Sequence, residues 1–237
     1  MNASKYSFKA LPHKLQVLIV VLTAFAIGTL CWSACDFAPQ IHGSGWIMLT
    51  LFALMIVPFT IILPIAELAV FPGDIYLMAI AILYGSSTCV IATAFCAFAY
   101  LCISRKSSQL FMLIFNFSVM VGGAFLYSAA YQLTKPTYGG IKAMVLPVAM
   151  MTLVSFLFTS LATATAISWK RGNRIAEHWT ITCLPLVLNS FISAASAAFI
   201  SLLIPFNHAV PLMFAPLILV IWVWTKAHRN RLMRKTV

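Results

Sequence analysis

The chain has 237 residues, of which 62% are hydrophobic and only 8% are charged, and its mean hydropathy is +1.00. Soluble domains carry about 25% charged residues, so this composition excludes a water-soluble surface and requires lipid around most of the protein. The formal net charge of +11 arises from short basic clusters between apolar runs, a pattern typical of cytoplasmic loops beside anionic lipid. The sequence has no separate basic domain, so we expect no binding of nucleic acid.

The first half of the chain predicts two full membrane spans followed by an unusual segment. A span needs about 20 apolar residues, and the first two candidates run from Leu15 to Trp32 and from Trp46 to about Ala66. Two shorter apolar pieces follow, Ile75–Tyr84 and Thr88–Ile103. The helix-breaking sequence Gly85-Ser86-Ser87 separates them. These pieces predict either one interrupted span or a hairpin of two partial helices.

The distribution of basic residues favours the hairpin. The lysines from Lys5 to Lys14 and the pair Arg105-Lys106 should both face the cytoplasm. Two spans from a cytoplasmic N-terminus return the chain to the cytoplasmic side near Glu67. An even number of crossings must then separate Glu67 from Arg105, and a hairpin meets this requirement whereas a single span does not.

The second half predicts regular alternation between the two sides of the membrane. Its candidate spans are Leu110–Leu133, Ala143–Trp169, Trp179–Ile204 and Ala209–Thr225. We therefore predict an all-α, polytopic membrane helix bundle with six full spans and a two-part helical hairpin. One integral membrane domain covers residues 1–237, with short cytoplasmic tails at 1–14 and 226–237, and the predicted location is the bacterial inner membrane.

Three of the late spans carry polar residues at helical spacing, so each has one polar face. Small and hydroxylated residues on such faces are typical of close helix packing. The alternative is a polar cavity in the centre of the bundle, which the amides of Asn116 and Asn189 favour because an amide within lipid must be paired. The three polar faces comprise Asn116, Gly123, Tyr127 and Tyr131, then Thr152, Ser155, Thr159 and Thr163, then Thr182, Asn189, Ser193 and Ser196.

Two acidic residues precede the hairpin break, and an acid at membrane depth indicates a functional site. Both lie close to the turn Pro72-Gly73, which is compatible with an interfacial position in water and favours it most for Asp74. The alternative for Glu67 is that it lines the cytoplasmic end of the cavity. The sequence has no catalytic, metal-binding or cofactor motif, so we expect no enzymatic activity and no cofactor. The predicted ligand-binding residues are Glu67, Asn116, Tyr127, Tyr131, Asn189 and Ser193.

The order of segments resembles a known family. The stretch PIAELAVFPGDIYLMAIAILYGSSTCVIATAFCAFAYLCISRK is followed by LFMLIFNFSVMVGGAFLY and by a span ending in SWKRGN. This order resembles the N-terminal membrane module of bacterial HD-GYP and GGDEF signalling proteins, with Glu67, Gly85 and Asn116 as the best-matching positions. The break at Gly85 is also similar to that of the S components of energy-coupling-factor vitamin transporters, although it lacks their usual proline.

The resemblance implies a membrane-embedded sensor or small-ligand-binding module. The signalling proteins continue into a cytoplasmic enzyme domain, whereas this chain ends soon after its last predicted span. We therefore expect a module without its own output domain, which signals through a membrane or cytoplasmic protein partner. The alternatives are a substrate-binding subunit of a small-molecule, vitamin-type transporter and a structural subunit of a membrane complex.

Overall fold

The computed structural model describes residues 8, 11–37, 44–63, 68–104, 110–135, 141–184 and 187–204, together with positions 207, 211, 220, 223 and 227. Within these ranges the chain forms a helical bundle with one short pair of antiparallel strands. The elements are α1 (His13–Asp36), α2 (Gly45–Ile56), β1 (Ile61–Leu63), β2 (Leu68–Val70), α3 (Asp74–Ser104), α4 (Leu110–Thr134), α5 (Val145–Arg171), α6 (Ile175–His178) and α7 (Val187–Leu203).

Four of the described helices are long and apolar enough to cross a membrane, namely α1, α3, α4 and α5. Large apolar side chains on α1, including Val17, Val20 and Val21, are exposed, as expected for a surface that lipid covers. The prediction of a helical membrane bundle is therefore confirmed. The six full spans are not, because α2 and α7 are shorter and most of the last candidate span, 209–225, lies outside the described residues.

The second predicted span is not one long helix. Helix α2 ends at Ile56, and a single 3₁₀ turn, Val57–Phe59, follows it. Pro58 lies at the start of this turn and has no backbone N–H to continue the α-helical hydrogen bonding. The chain then enters the β1–β2 pair, in which Ile61 is opposite Val70.

Helix α3 is folded back on itself at Gly85. This glycine has φ +85° and ψ −175°, a conformation that is essentially restricted to glycine. It divides α3 into a first arm, residues 74–84, and a second arm, residues 86–104. The thiol of Cys89 on the second arm donates a hydrogen bond to the carbonyl oxygen of Leu77 on the first, at 3.3 Å. The two arms therefore lie side by side as a hairpin.

Polar contacts satisfy the backbone at the tip of the hairpin. The last carbonyl groups of a helix lack intrahelical partners, and two of them find partners here. Gln132 Nε2 donates to the carbonyl oxygen of Ala81 at 3.1 Å. The hydroxyl of Thr88 donates to the backbone carbonyl oxygen of Tyr84, also at 3.1 Å. The Ser87 hydroxyl also donates to the carboxylate of Asp36 at the end of α1. The tip is thus held against the ends of α1 and α4.

The hairpin is the most enclosed part of the bundle. In the apolar stretch of α3, 67% of the residues are buried, whereas the corresponding share is 28% in α1 and 33% in α5. Helix α2 runs antiparallel to the first arm, because Gly45 lies close to Tyr84 whereas Phe52 lies close to Tyr76, with a ring-centroid distance of 5.7 Å. A Cβ atom added at Gly45 would lie 2.0 Å from the hydroxyl oxygen of Tyr84. Glycine at the start of α2 therefore allows this helix to approach the tip of the hairpin.

A second hydrophobic cluster brings three helix ends together. Leu15 near the start of α1, Phe111 at the start of α4 and Ala166 near the end of α5 pack in one group. Each of these ends adjoins basic residues in the sequence, Lys14, Arg105-Lys106 and Lys170-Arg171 respectively. The described basic residues Lys14, Lys170 and Arg171 therefore lie at one end of the bundle, opposite the tip of the hairpin.

Candidate functional site

A cavity of about 110 Å³ lies among the two arms of α3 and the helices α4, α5 and α7. It is located near the middle of α4 and α5, away from the ends of both helices. The described residues that line it are Phe71, Asp74, Leu77, Thr93, Asn116, Val119, Met120, Gly123, Tyr127, Ser155, Phe156, Thr159, Ser160, Thr163, Cys183, Asn189 and Ser190.

Asp74 lies deep within the bundle because of the geometry of the hairpin. It is the first residue of the first arm, and its backbone N–H donates to the carbonyl oxygen of Phe71 at 3.2 Å. At 1.5 Å per residue, the first arm places Asp74 about 16 Å from the tip of the hairpin, roughly half of a bilayer core about 30 Å thick. Asp74 is half-buried and lines the cavity, so its depth within a membrane would be near the middle if the tip of the hairpin reaches one surface.

The two predicted asparagines both reach this cavity. Asn116 lies on α4 and Asn189 on α7, and each is half-buried. The Oδ1 atom of Asn189 is fully buried and has no hydrogen-bond partner among the described residues. A buried amide oxygen without a donor is costly, so this atom indicates a position where a hydrogen-bond donor is missing.

The predicted tyrosines separate between the cavity and the core. Tyr127 lines the cavity, and its hydroxyl oxygen lies 3.3 Å from Cys89 Sγ, which links α4 to the second arm. Tyr131 is buried in the hydrophobic core and does not line the cavity. Tyr131 lies one helical turn nearer the hairpin tip than Tyr127, outside the lining of the cavity.

The polar faces of α5 and α7 combine packing with cavity lining. Ser155, Thr159 and Thr163 line the cavity, while Thr152 is buried beyond it and donates to the carbonyl oxygen of Val148 at 2.7 Å. Ser193 on α7 is likewise buried and does not line the cavity. Its neighbours Ala194 and Ala197 belong to the hydrophobic core.

The wall of the cavity between α6 and α7 is irregular. The predicted span Trp179–Ile204 begins with a π-helical turn, Trp179–Cys183, before α7. Such turns occur frequently at functional sites. Trp179 Nε1 donates to Ser160 Oγ at 2.9 Å, and the Cys183 thiol donates to the Ser160 carbonyl oxygen at 3.7 Å. These bonds hold two lining residues, Ser160 and Cys183, against each other.

The charged residue of the described site is Asp74, which the sequence interpretation gave less weight. Glu67, the predicted charged member of the site, lies outside the described residues. Asp74 could have been found from one signal, the length of the apolar piece Ile75–Tyr84. A helix that short cannot reach both surfaces, so its first residue belongs inside the membrane if its tip reaches one surface.

The described lining offers one carboxylate, two amides, several hydroxyl groups and one thiol, but no Lys, Arg or His. Among the described residues no group of three or more His, Cys, Asp or Glu side chains is placed to hold a metal ion. The arrangement accepts hydrogen bonds and contains one ionisable carboxyl group, and its apolar members include Phe71, Leu77 and Phe156. It is suited to bind a small molecule that has hydrogen-bond donors.

Comparison of the chain with protein-family models, with curated proteins and with solved structures finds no match.

Proposed function

We propose that the protein is a membrane-embedded small-ligand-binding module that senses its ligand and signals through a protein partner. The observation that supports this is the central cavity, which contains Asp74 and the buried Oδ1 of Asn189, an atom with no hydrogen-bond partner among the described residues. Ionisable and polar groups at membrane depth are costly, and they typically mark ligand or ion sites. The four apolar helices are consistent with contact with a lipid bilayer.

The proposed topology has six full spans plus the hairpin, in the inner membrane, with both termini in the cytoplasm. Its support is that Lys14 and Lys170-Arg171 lie at the same end of the bundle, since basic loops face the cytoplasm. In the sequence, Arg105-Lys106 precedes the start of α4, which lies at that end. The loop from Asp36 to Gly45 at the opposite end contains no Lys or Arg. The tip of the hairpin would then lie at the outer surface.

A thermal-shift screen tests ligand binding. The full-length protein in lipid nanodiscs is melted in the presence of small cationic, neutral and anionic metabolites, with intrinsic tryptophan fluorescence as the readout. We expect at least one compound to raise the melting temperature of the wild type and to have no effect on Asn189→Leu. If no compound of any charge type stabilises the wild type, the ligand-binding function is wrong.

A transporter subunit is the second candidate, since a polar cavity in the centre of the bundle could also bind a small transported molecule. Uptake separates the two functions. A transporter subunit carries the labelled stabilising compound into cells that supply an energising module, whereas a sensor does not. A sensor instead forms a complex whose stability changes when the compound is added, measured by co-purification in mild detergent. A protein that binds no compound and is recovered only as a fixed part of a larger assembly would be a structural subunit.

A further inference from the structure

We propose that the cavity binds a small primary ammonium cation, with the carboxylate of Asp74 as its counter-ion and the amides of Asn116 and Asn189 as hydrogen-bond partners. This inference rests on the proposed ligand-binding function and specifies the chemical class of the ligand.

The charge of the site supports a cation. Asp74 is the one carboxylate of the described lining, and no ion pair or hydrogen bond of its side chain is found within the part of the chain that the structure describes. An ionised carboxylate inside an apolar bundle is costly unless an opposite charge is paired with it, and without such a partner it tends to take up a proton. The described lining contains no basic side chain, so a cationic ligand supplies that charge and an anionic ligand would be repelled.

The hydrogen-bond acceptors of the site support an ammonium group. Asn189 Oδ1 is buried and has no donor within the described ranges of the chain, and Asn116 presents a second amide to the same cavity. An ammonium group has three donors and no acceptor. It can therefore donate to the Asp74 carboxylate and to one or both amide oxygens at once.

The size and the walls of the cavity favour an organic cation with a short chain. A cavity of about 150 Å³ holds benzene, so the volume of about 110 Å³ suits a ligand with roughly four or five non-hydrogen atoms. Phe71, Leu77 and Phe156 provide apolar surface for the alkyl part. A divalent metal ion fits less well, because the described lining provides one carboxylate and no histidine.

The test compares probes of equal size but different charge: propylammonium, 1-propanol and acetate. Each is added to the full-length protein in nanodiscs of uncharged lipid, at constant sodium concentration, and the melting temperature is measured. We expect propylammonium to raise the melting temperature saturably, by about 3 °C at concentrations well above half-saturation. The other two probes should have no saturable effect on the melting temperature. This comparison uses only the wild type, so it does not depend on the folding of any variant.

Two matched variants then locate the binding charge. Asp74→Asn keeps the shape of the side chain but removes its charge, and should weaken propylammonium binding by at least about tenfold. Glu177→Gln makes the same change at an exposed position on α6, and should leave the binding unchanged.

The outcomes separate this inference from the function on which it rests. Equal stabilisation by 1-propanol or acetate, undiminished binding to Asp74→Asn, or an Asp74-dependent effect of sodium alone would overturn the ammonium site but leave a ligand-binding cavity. The absence of any stabilisation by these probes and by the metabolite screen would overturn both.

Discussion

The thiol of Cys89 and the carbonyl oxygen of Leu77 are 3.3 Å apart across a sequence separation of 12 residues. In a continuous α-helix, residues so separated would be about 18 Å apart. This contact requires the reversal at Gly85, and it has a consequence for the cavity. One turn from Cys89 along the second arm, Thr93 comes to line the same cavity as Asp74 at the start of the first arm. The fold of the hairpin thus builds one wall of the site.

The first prediction concerns Gly85. We expect Gly85→Ala to lower the free energy of unfolding by about 1–3 kcal/mol, because alanine is strained at this φ and ψ. The nearest atom to an added Cβ is Gln132 Nε2 at 3.9 Å, so the loss would come from the backbone and not from a clash. Thermal unfolding in detergent measures it.

Gly28→Ala is the matched control for that variant. Gly28 lies within α1, and nothing lies within 4 Å of an added Cβ there. Alanine should be neutral or stabilising by about 0.5–1 kcal/mol at this position. If Gly85→Ala is as well tolerated as Gly28→Ala, the hairpin does not depend on the special backbone conformation of Gly85.

The second prediction contrasts two amides, Asn189 and Gln132. Asn189→Leu should leave the stability of the empty protein nearly unchanged, because the Oδ1 atom that it removes has no partner in the described part of the structure. Gln132→Leu should cost about 0.6–1 kcal/mol, because it removes the donor to the carbonyl oxygen of Ala81. Unfolding of both variants without ligand gives the comparison. A larger loss for Asn189→Leu than for Gln132→Leu would assign a structural role to Asn189.

Much of the helical framework could be predicted from apolar runs alone. The spans predicted at Leu15–Trp32, Leu110–Leu133 and Ala143–Trp169 agree with α1, α4 and α5 within a few residues, because lipid imposes both length and composition on a crossing helix. The end of α2 could not be found in this way. Prolines are tolerated in membrane helices when neighbours satisfy the freed carbonyls, and only the tertiary structure shows that the α-helix ends at Ile56, before Pro58.

The candidate site was only partly accessible from the sequence. Helical spacing placed Asn116 and Tyr127 on one face of α4, and both line the cavity. The same spacing also included Tyr131, which does not line it. Periodicity gives the direction of a side chain but not the extent of a cavity. Asp74 follows a Pro-Gly pair, which is usual at a membrane surface. Its depth depends on the fold of the hairpin, which requires contacts between residues distant in the sequence.

The third prediction concerns the orientation of the bundle. In a variant that retains Cys35 as its one cysteine, a membrane-impermeant maleimide should label intact spheroplasts, because Cys35 is exposed near the end of α1 on the proposed outer side. A cysteine-free variant carrying Asn173→Cys, an exposed position beside Lys170 and Arg171, should react only after permeabilisation. A reporter fused after Val237 should be active only in the cytoplasm. The reverse labelling pattern would contradict the proposed topology.

The most direct test of the central claim, that Asp74 receives a small ammonium ion inside the bundle, is infrared difference spectroscopy of the protein with and without propylammonium. The chain has only four acidic residues, so changes in the carboxylate stretching bands can be assigned by substitution. We predict a saturable change in these bands that is present in the wild type and in Glu177→Gln and absent in Asp74→Asn. An unchanged carboxylate spectrum in wild-type protein at a propylammonium concentration that saturates the thermal shift, or a change that persists in Asp74→Asn, would contradict it.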